Sequence, residues 1–207
     1  VFQRSHLVDE TENIHGYKSR VLKIRVVKKW RFVGFDDSFK GSKACIFGCV
    51  TCDNQVEGFM YEEIEVDGFD VTEKIVSLVL KSKFRNQLKC IFLAGLTFAG
   101  FNVADIVEIY NRTSIPVVVI MRREPKIEEF ISAARKLEKG EERLKIIERA
   151  GKVEKIGTLY VQLAGINLKM AEEYIELSKL KGKVPEALRI AHLAASAVIH
   201  GESKGKA

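Results

Sequence analysis

Ten residues set the frame of this chain: Trp30-Arg31-Phe32-Val33-Gly34-Phe35-Asp36-Asp37-Ser38-Phe39. The run is largely apolar and reads as a buried strand that ends in two adjacent carboxylates. Burying an ionised carboxylate is costly, so such groups are normally paired, hydrogen-bonded or bound to a cation. Side chains alternate along a strand, so Asp36 and Asp37 face opposite ways, one of them toward whatever covers the sheet. The competing reading is a strand that simply runs out into a polar turn.

The segments around this run alternate in period. Arg20 to Val27 alternates charged and apolar residues and reads as a strand, or as the entry to the Trp30 strand. Lys43 to Thr51 is β-rich, Asp53-Asn54 supplies a turn, and Gly58 to Val66 reads as the next strand. Strands with such short connections suit an antiparallel meander. The period then becomes helical. Val71 to Leu88 carries Ile75, Leu78 and Val79 on one face, and Asp70-Val71-Thr72-Glu73 has the form of a capping box. A short apolar strand follows at Lys89–Gly95, then a helix that Asn102 can cap, running to about Arg112. Pro116 to Met121 is apolar throughout, as parallel strands covered on both faces are. Pro125 opens a helix through Leu137, and Glu141 to Glu148 is a charged helical stretch. A last strand at Gly157–Leu163 precedes two amphipathic helices, Asn167–Leu180 and Val184–His200. A meander running into alternating helices and strands predicts an α/β fold. Its mixed sheet, antiparallel and then parallel, would carry helices on both faces. This ordering is one of the layouts of the ribonuclease-H-like fold.

At 207 residues the chain has the length of one domain, with residues 1–18 read as a flexible or appended start. Charged residues at 30% and hydrophobic ones at 46% place it among soluble globular proteins. No apolar run reaches the roughly 18 to 20 residues of a membrane span, and no secretory pattern opens the chain, so a cytoplasmic protein is expected. Abundant Lys, Glu, Ile and Val lean the composition toward thermophiles. The net charge of +6 permits a nucleic-acid partner. Its local density says more. Lys18, Arg20, Lys23, Arg25, Lys28, Lys29 and Arg31 follow one another with no acid between them. Arg20, Lys23, Arg25, Lys28, Lys29 and Arg31 are therefore candidate phosphate contacts, the alternative being a basic edge strand that blocks aggregation. Of the four cysteines, Cys45 and Cys49 share a strand face, Cys52 takes the other and Cys90 lies far off. That is poor geometry for a thiolate metal site, and the group reads as small hydrophobes.

Hydrolysing a phosphodiester with metal ions needs hard oxygen ligands converging on Mg²⁺ or Mn²⁺. Asp36, Asp37, Asp67 and Asp70 are the candidates, with Asp36 the best placed. Asp67-Gly68 also reads as a plain turn, and Asp70 as the helix cap alone. Gly95, Gly100 and Asn102 form a loop at a strand's carboxyl end, where α/β sheets bind ligands. The two glycines are spaced as in a P-loop, but Phe101-Asn102 stands where Lys and Ser/Thr belong, which argues against nucleoside triphosphate binding. The chain has no nucleophile elbow and no zinc-protease motif.

Four runs carry a family resemblance. They are Gly34-Phe35-Asp36-Asp37, Val66 through Ile75, Ala99 through Ile106, and Pro185 through Leu193. Together they resemble the archaeal family catalogued as domain of unknown function 99, a relative of endonuclease V with a ribonuclease-H-like core. The last run is itself similar to the closing segment of endonuclease V. The resemblance implies a metal-binding Asp36 in a Gly-x-Asp on the first strand and a second acidic ligand at Asp70. The third acid, an Asp-Gly in endonuclease V, reads Ala94-Gly95 here. The Pro-Tyr-Ile-Pro wedge reads Gln55-Val56-Glu57-Gly58, and a histidine expected near Gly165 is absent.

The reading that results is an endonuclease-V-like protein that hydrolyses or binds nucleic acid with Mg²⁺. Asp36 and Asp70 are its catalytic residues, and Asp37 or Asp67 makes good the missing third acid. Its rival is a catalytically silent binding module, which Ala94 favours. A small-molecule enzyme using the Gly95–Asn102 loop is the third reading.

Overall fold

The structure, a computed structural model, describes residues 29–203 with their side chains. Ahead of them it describes the backbone course of two strands. Those two, β1 (His6–Ile14) and β2 (Tyr17–Arg25), pair as an antiparallel hairpin of their own. The side chains of Arg20, Lys23, Arg25 and Lys28 lie outside the described residues, as do those of residues 1–18.

The Trp30 run is β3 (Arg31–Lys40), followed by β4 (Lys43–Cys52) and β5 (Gln55–Glu63). These three form the antiparallel meander that the alternation predicts. The chain continues through α1 (Val71–Lys81), β6 (Leu88–Leu93), the short pair β7 (Thr97–Phe98) and β8 (Asn102–Val103), and α2 (Ile106–Thr113). Then come β9 (Val117–Met121), α3 (Ile127–Ala134), α4 (Gly140–Arg149), β10 (Glu154–Ile156), β11 (Leu159–Ala164), α5 (Leu168–Ser178) and α6 (Glu186–His200). The main sheet has seven strands in the order β10-β11-β9-β6-β3-β4-β5. β3, β6 and β9 are parallel and the outer strands antiparallel. From β3 the chain first builds outward to β4 and β5, then returns to extend the sheet from β3's other edge. That reversal at β3/β6 is the switch point where α/β sheets open a crevice.

Alternation splits the core in two. Val33, Phe35, Ile91, Leu93, Val117 and Val119 pack on one face with α1 and α2. Phe32, Cys90, Phe92, Val118 and Ile120 pack on the other with α5 and α6. Helices thus cover both faces. No helix among the described residues is long and apolar enough to cross a membrane.

Three local expectations are corrected. The helix expected over Val71–Leu88 stops at Lys81, because Ser82 turns extended and its hydroxyl accepts from the Phe84 N–H at 3.1 Å. A single 3₁₀ turn at Arg85–Gln87 then leads into β6. The capping box does not form. Asp70 makes no side-chain cap, and Glu73 pairs with Arg112 of α2 instead. Ahead of β11 stands a strand that periodicity missed, β10, three residues long and paired to β11 around a turn at Gly157.

Candidate active site at the open end of β3

β6 runs out beside β3 at Phe35, whose carbonyl accepts from the Ala94 N–H at 3.0 Å. Asp36 and Asp37 therefore lie just past the last shared rung, paired only with β4 on their other side. The pleat sends them to opposite faces, as expected. Asp36 points toward α6, where its Oδ2 lies 3.0 Å from His192 Nδ1. Its Oδ1 accepts from the Asp37 N–H at 2.8 Å. Asp37 points toward the loop after β6, and its Oδ2 accepts from the Ala99 N–H at 2.8 Å.

A glycine makes the α6 contact possible. A Cβ at Gly34 would stand 2.5 Å from the Leu188 backbone nitrogen and 2.6 Å from the Ala187 carbonyl carbon. Two strand residues advance about 6.6 Å and four helical residues about 6 Å. The step from Gly34 to Asp36 therefore keeps pace with the step from Leu188 to His192, and helix backbone on bare glycine places imidazole on carboxylate. The His192 side chain is 35% exposed and that of Asp36 15%, so the pair is open to a ligand.

The electrostatics follow from the geometry. Burial pushes the Asp37 carboxyl up to about 6, and the neighbouring Asp36 charge adds to the rise, against the Ala99 N–H that lowers it. His192 is held above the usual histidine value, chiefly by its hydrogen bond to Asp36 and against partial burial. The site thus has one carboxyl pushed up to about 6 and one imidazole held above its ordinary value.

The other two acids of the candidate set stand on a separate turn, joined to the first pair by the Gly95–Asn102 loop. Asp67 donates its N–H to the Ala99 carbonyl at 2.9 Å, and its Oδ1 accepts from the Phe101 N–H at 2.8 Å. Gly100 has a φ of +90°, and a Cβ there would lie 2.3 Å from Asp67 Oδ1, so glycine is required. Asp70 Oδ1 accepts from Asn102 Nδ2 at 2.6 Å and from the Glu65 N–H at 3.2 Å. Among the described residues no three His, Cys, Asp or Glu side chains are grouped to hold a metal ion.

Asn102 caps a helix, but not the expected one. Its Oδ1 accepts from the Val71 N–H at the start of α1, while Asp105 caps α2 through the Glu108 N–H. The loop is braced from outside by Arg143 of α4, which is 2% exposed. Its guanidinium donates to the carbonyls of Phe101, Glu138, Asp67 and Gly68 and lies over the Phe69 ring. Beyond the loop, Gly95, Leu96 and Thr97 form one wall of a cavity of about 680 Å³, lined further by Met121, Phe130 and Gln162.

Of the basic candidates, Lys29 is exposed and Arg31 is bound by Glu57 through two hydrogen bonds at 2.6 and 3.1 Å. All four cysteines are buried, and burial raises each thiol, Cys49 to about 12. His192 is the residue at this site that sequence reasoning missed. It stands in the Pro185–Leu193 run, but nothing local to that helix tells which strand its ring will meet.

A sequence profile of the Endonuclease dU family matches residues 28–199. The chain belongs to that family. A UPF0215 protein of Archaeoglobus fulgidus is 56% identical over 181 residues, 87% of this chain and 100% of the relative. One from Methanosarcina mazei is 44% identical over 185 residues, 86% of this chain and 94% of the relative. Among solved structures, a protein of unknown function from Archaeoglobus fulgidus superposes with a TM-score of 0.82 at 55% identity, over 84% of this chain and all of that one. Human ENDOV superposes with a TM-score of 0.56 at 15% identity, over 84% and 85% of the two chains. Ciona intestinalis endonuclease V, bound to a 23mer DNA containing an inosine followed by a ribo-adenosine, superposes with a TM-score of 0.53 at 14% identity, over 83% and 86%. The fold is that of endonuclease V, ribonuclease-H-like.

Proposed function

We propose that this chain is an endonuclease of nucleic acid, with its chemistry at Asp36, Asp37 and His192 and with deoxyuridine-containing DNA as substrate. The observation that carries the reading is the meeting of Asp36 with His192 at the open end of β3, beside a second carboxylate. The substrate class comes from the family's description and from the DNA bound by the Ciona intestinalis relative.

A divalent cation at Asp36 would offset the charge that, after burial, helps to push the neighbouring Asp37 carboxyl up. Mg²⁺ is commonly bound through one or two carboxylates, with waters and substrate phosphate completing its shell. Asp36, on the face that carries His192 and Ala94, would hold it in that way, with Asp37 on the opposite face held by the Ala99 N–H. When bound, the ion supplies charge neutralisation at the phosphate and a more acidic water. Asp36 orients the His192 ring through Nδ1, and Nε2 then holds the proton that the departing oxygen takes up. Asp67 and Asp70 support the site indirectly, by fixing the loop whose Ala99 N–H holds Asp37. The cavity behind that loop has room for a base turned out of the helix.

The binding-module reading also has an observation behind it. Ala94 packs on the same sheet face as Asp36, at the rung next to it, where endonuclease V carries its third acid. One assay separates the two. End-labelled DNA with a single deoxyuridine is incubated with wild type, Asp36→Asn and His192→Ala, in Mg²⁺, in Mn²⁺ and in chelator. The enzyme reading requires cation-dependent nicking that falls by about a hundredfold or more in either variant. DNA that is bound but never cut leaves the module, and cutting that survives Asp36→Asn refutes the proposed site.

A further inference from the structure

The sheet face that carries Asp36 continues past it onto β4 and β5. Asp36 lies opposite Phe47, and Phe47 opposite Tyr61; the row before holds Gly34, Cys49 and Phe59. Directly opposed residues of antiparallel strands share a face. α6 packs along β3 and β4, and the β5 end stays open, with Phe59 57% and Tyr61 46% exposed. Phe47 stands between these two rings and meets both edge-on, with centroids 5.4 Å and 6.3 Å away. Clustered exposed aromatic surface of this kind marks a binding face.

The charges around it select the partner. Lys40 and Lys43 face each other across the β3–β4 hairpin in the same set of rows, both exposed and neither ion-paired among the described residues. On β5, Glu57 is bound by Arg31 and Glu62 by Lys74, which leaves Glu63 as the one acid of that strand without a counter-ion among the described residues. The exposed rings lie in line with the Asp36–His192 pair, and the two ammonium groups stand two rows further along the same face, past the row of Cys45 and Glu63, a spacing that suits a chain of bases with phosphates along it.

We propose that Phe59 and Tyr61, backed by Phe47, are a stacking platform for unpaired bases of a single-stranded nucleic-acid segment beside Asp36, with Lys40 and Lys43 on its phosphates. The proposal rests on the endonuclease reading above and adds the surface that holds the strand next to the cleaved bond. Aromatic stacking accepts every base, because each has a π-face, so the platform contributes affinity without sequence preference. A second copy of this chain fits the face less well. Two β5 edges would bring their glutamates together, next to the irregularity where the β4–β5 register shifts.

The test is fluorescence anisotropy at fixed salt. A fluorescein-labelled single-stranded oligodeoxynucleotide of mixed sequence is titrated with wild type, Phe59→Ala, Tyr61→Ala, Phe59→Leu and Phe59→Trp. Each alanine variant should weaken binding roughly tenfold. Phe59→Leu keeps apolar bulk without a π-face and should weaken binding nearly as much, whereas Phe59→Trp should bind at least as tightly as wild type. Wild-type affinity in both alanine variants would overturn the platform while leaving Asp36-dependent nicking in place. A wild type that binds no oligonucleotide would overturn the platform and the endonuclease reading together. A dimer that Tyr61→Ala dissociates in sedimentation, at unchanged oligonucleotide affinity, would assign the face to a second copy instead.

Discussion

His192 Nδ1 lies 3.0 Å from Asp36 Oδ2, between residues 156 positions apart in the chain. That contact depends on Gly34, where the α6 backbone rests directly on the strand. Gly34→Ala puts a methyl group into Leu188 and Ala187 backbone, which cannot rotate away as a side chain could. The expected cost is about 2 kcal/mol or more in denaturant unfolding, as for other overpacked cores. The same displacement should return the His192 pKa toward the ordinary histidine value in an NMR titration. A stable variant with an unmoved His192 titration would mean that the helix is not seated by that glycine.

Ala94 suggests a gain-of-function test. It lies beside the Asp36 rung and on the same face. Ala94→Asp should place a third carboxylate near Asp36 and tighten calorimetric Mn²⁺ binding on the order of tenfold or more, since ligand charge count sets such affinities. The gain should vanish in an Ala94→Asp, Asp36→Asn double variant. If the single variant binds no better than wild type, Ala94 does not face the proposed cation site.

Asp37 makes stability depend on pH. Its folded-state pKa of about 6 lies above the unfolded value of 3.8, so the folded state holds the proton more tightly. The resulting stabilisation is complete below about pH 3.8 and is lost as pH rises through about 6. A shift of that size corresponds to at most about 3 kcal/mol. His192, also raised, acts with the same sign at somewhat higher pH: its contribution is present below the ordinary histidine value and lost above its folded value. In chelator-treated protein, Asp37→Asn should flatten the decline in stability between pH 4 and 6 and should be more stable than wild type at pH 7. A wild-type profile in the variant would show that Asp37 is not buried as described.

Arg143 brings its guanidinium to three carbonyls of the turn and loop that hold Asp67, Asp70 and Asn102, and to a fourth, that of Glu138, just ahead of its own helix. Arg143→Met keeps much of the stem and removes the donors, leaving buried carbonyls unpaired, at a cost of about 3 kcal/mol or more. Hydrogen exchange should locate the loosening at 95–102, with the Ala99 amide among those losing protection. Arg143→Lys should recover only part of the loss, because a point charge cannot reproduce the planar fork.

The sequence by itself determined most of the larger elements and their order, but not the short strands β7, β8 and β10. Strand and helix periods are set by neighbours a few residues apart, so the β3 strand, the meander, the apolar β9 and the two closing helices were all readable locally. So was the placing of Asp36 and Asp37 on opposite faces, which follows from the pleat alone. The four runs carried the resemblance to endonuclease V, whose fold the structure shows. Tertiary structure decided the partners. Asp105 rather than Asn102 caps α2, Asn102 instead caps α1 from 31 residues away, and Asp70 turns to Asn102 rather than to its own helix. It also decided that Ala99 holds Asp37 and that His192 joins Asp36. A polar side chain takes whichever donor or acceptor the packed backbones bring within about 3 Å. That choice is made between segments distant in the chain, where local pattern carries no information.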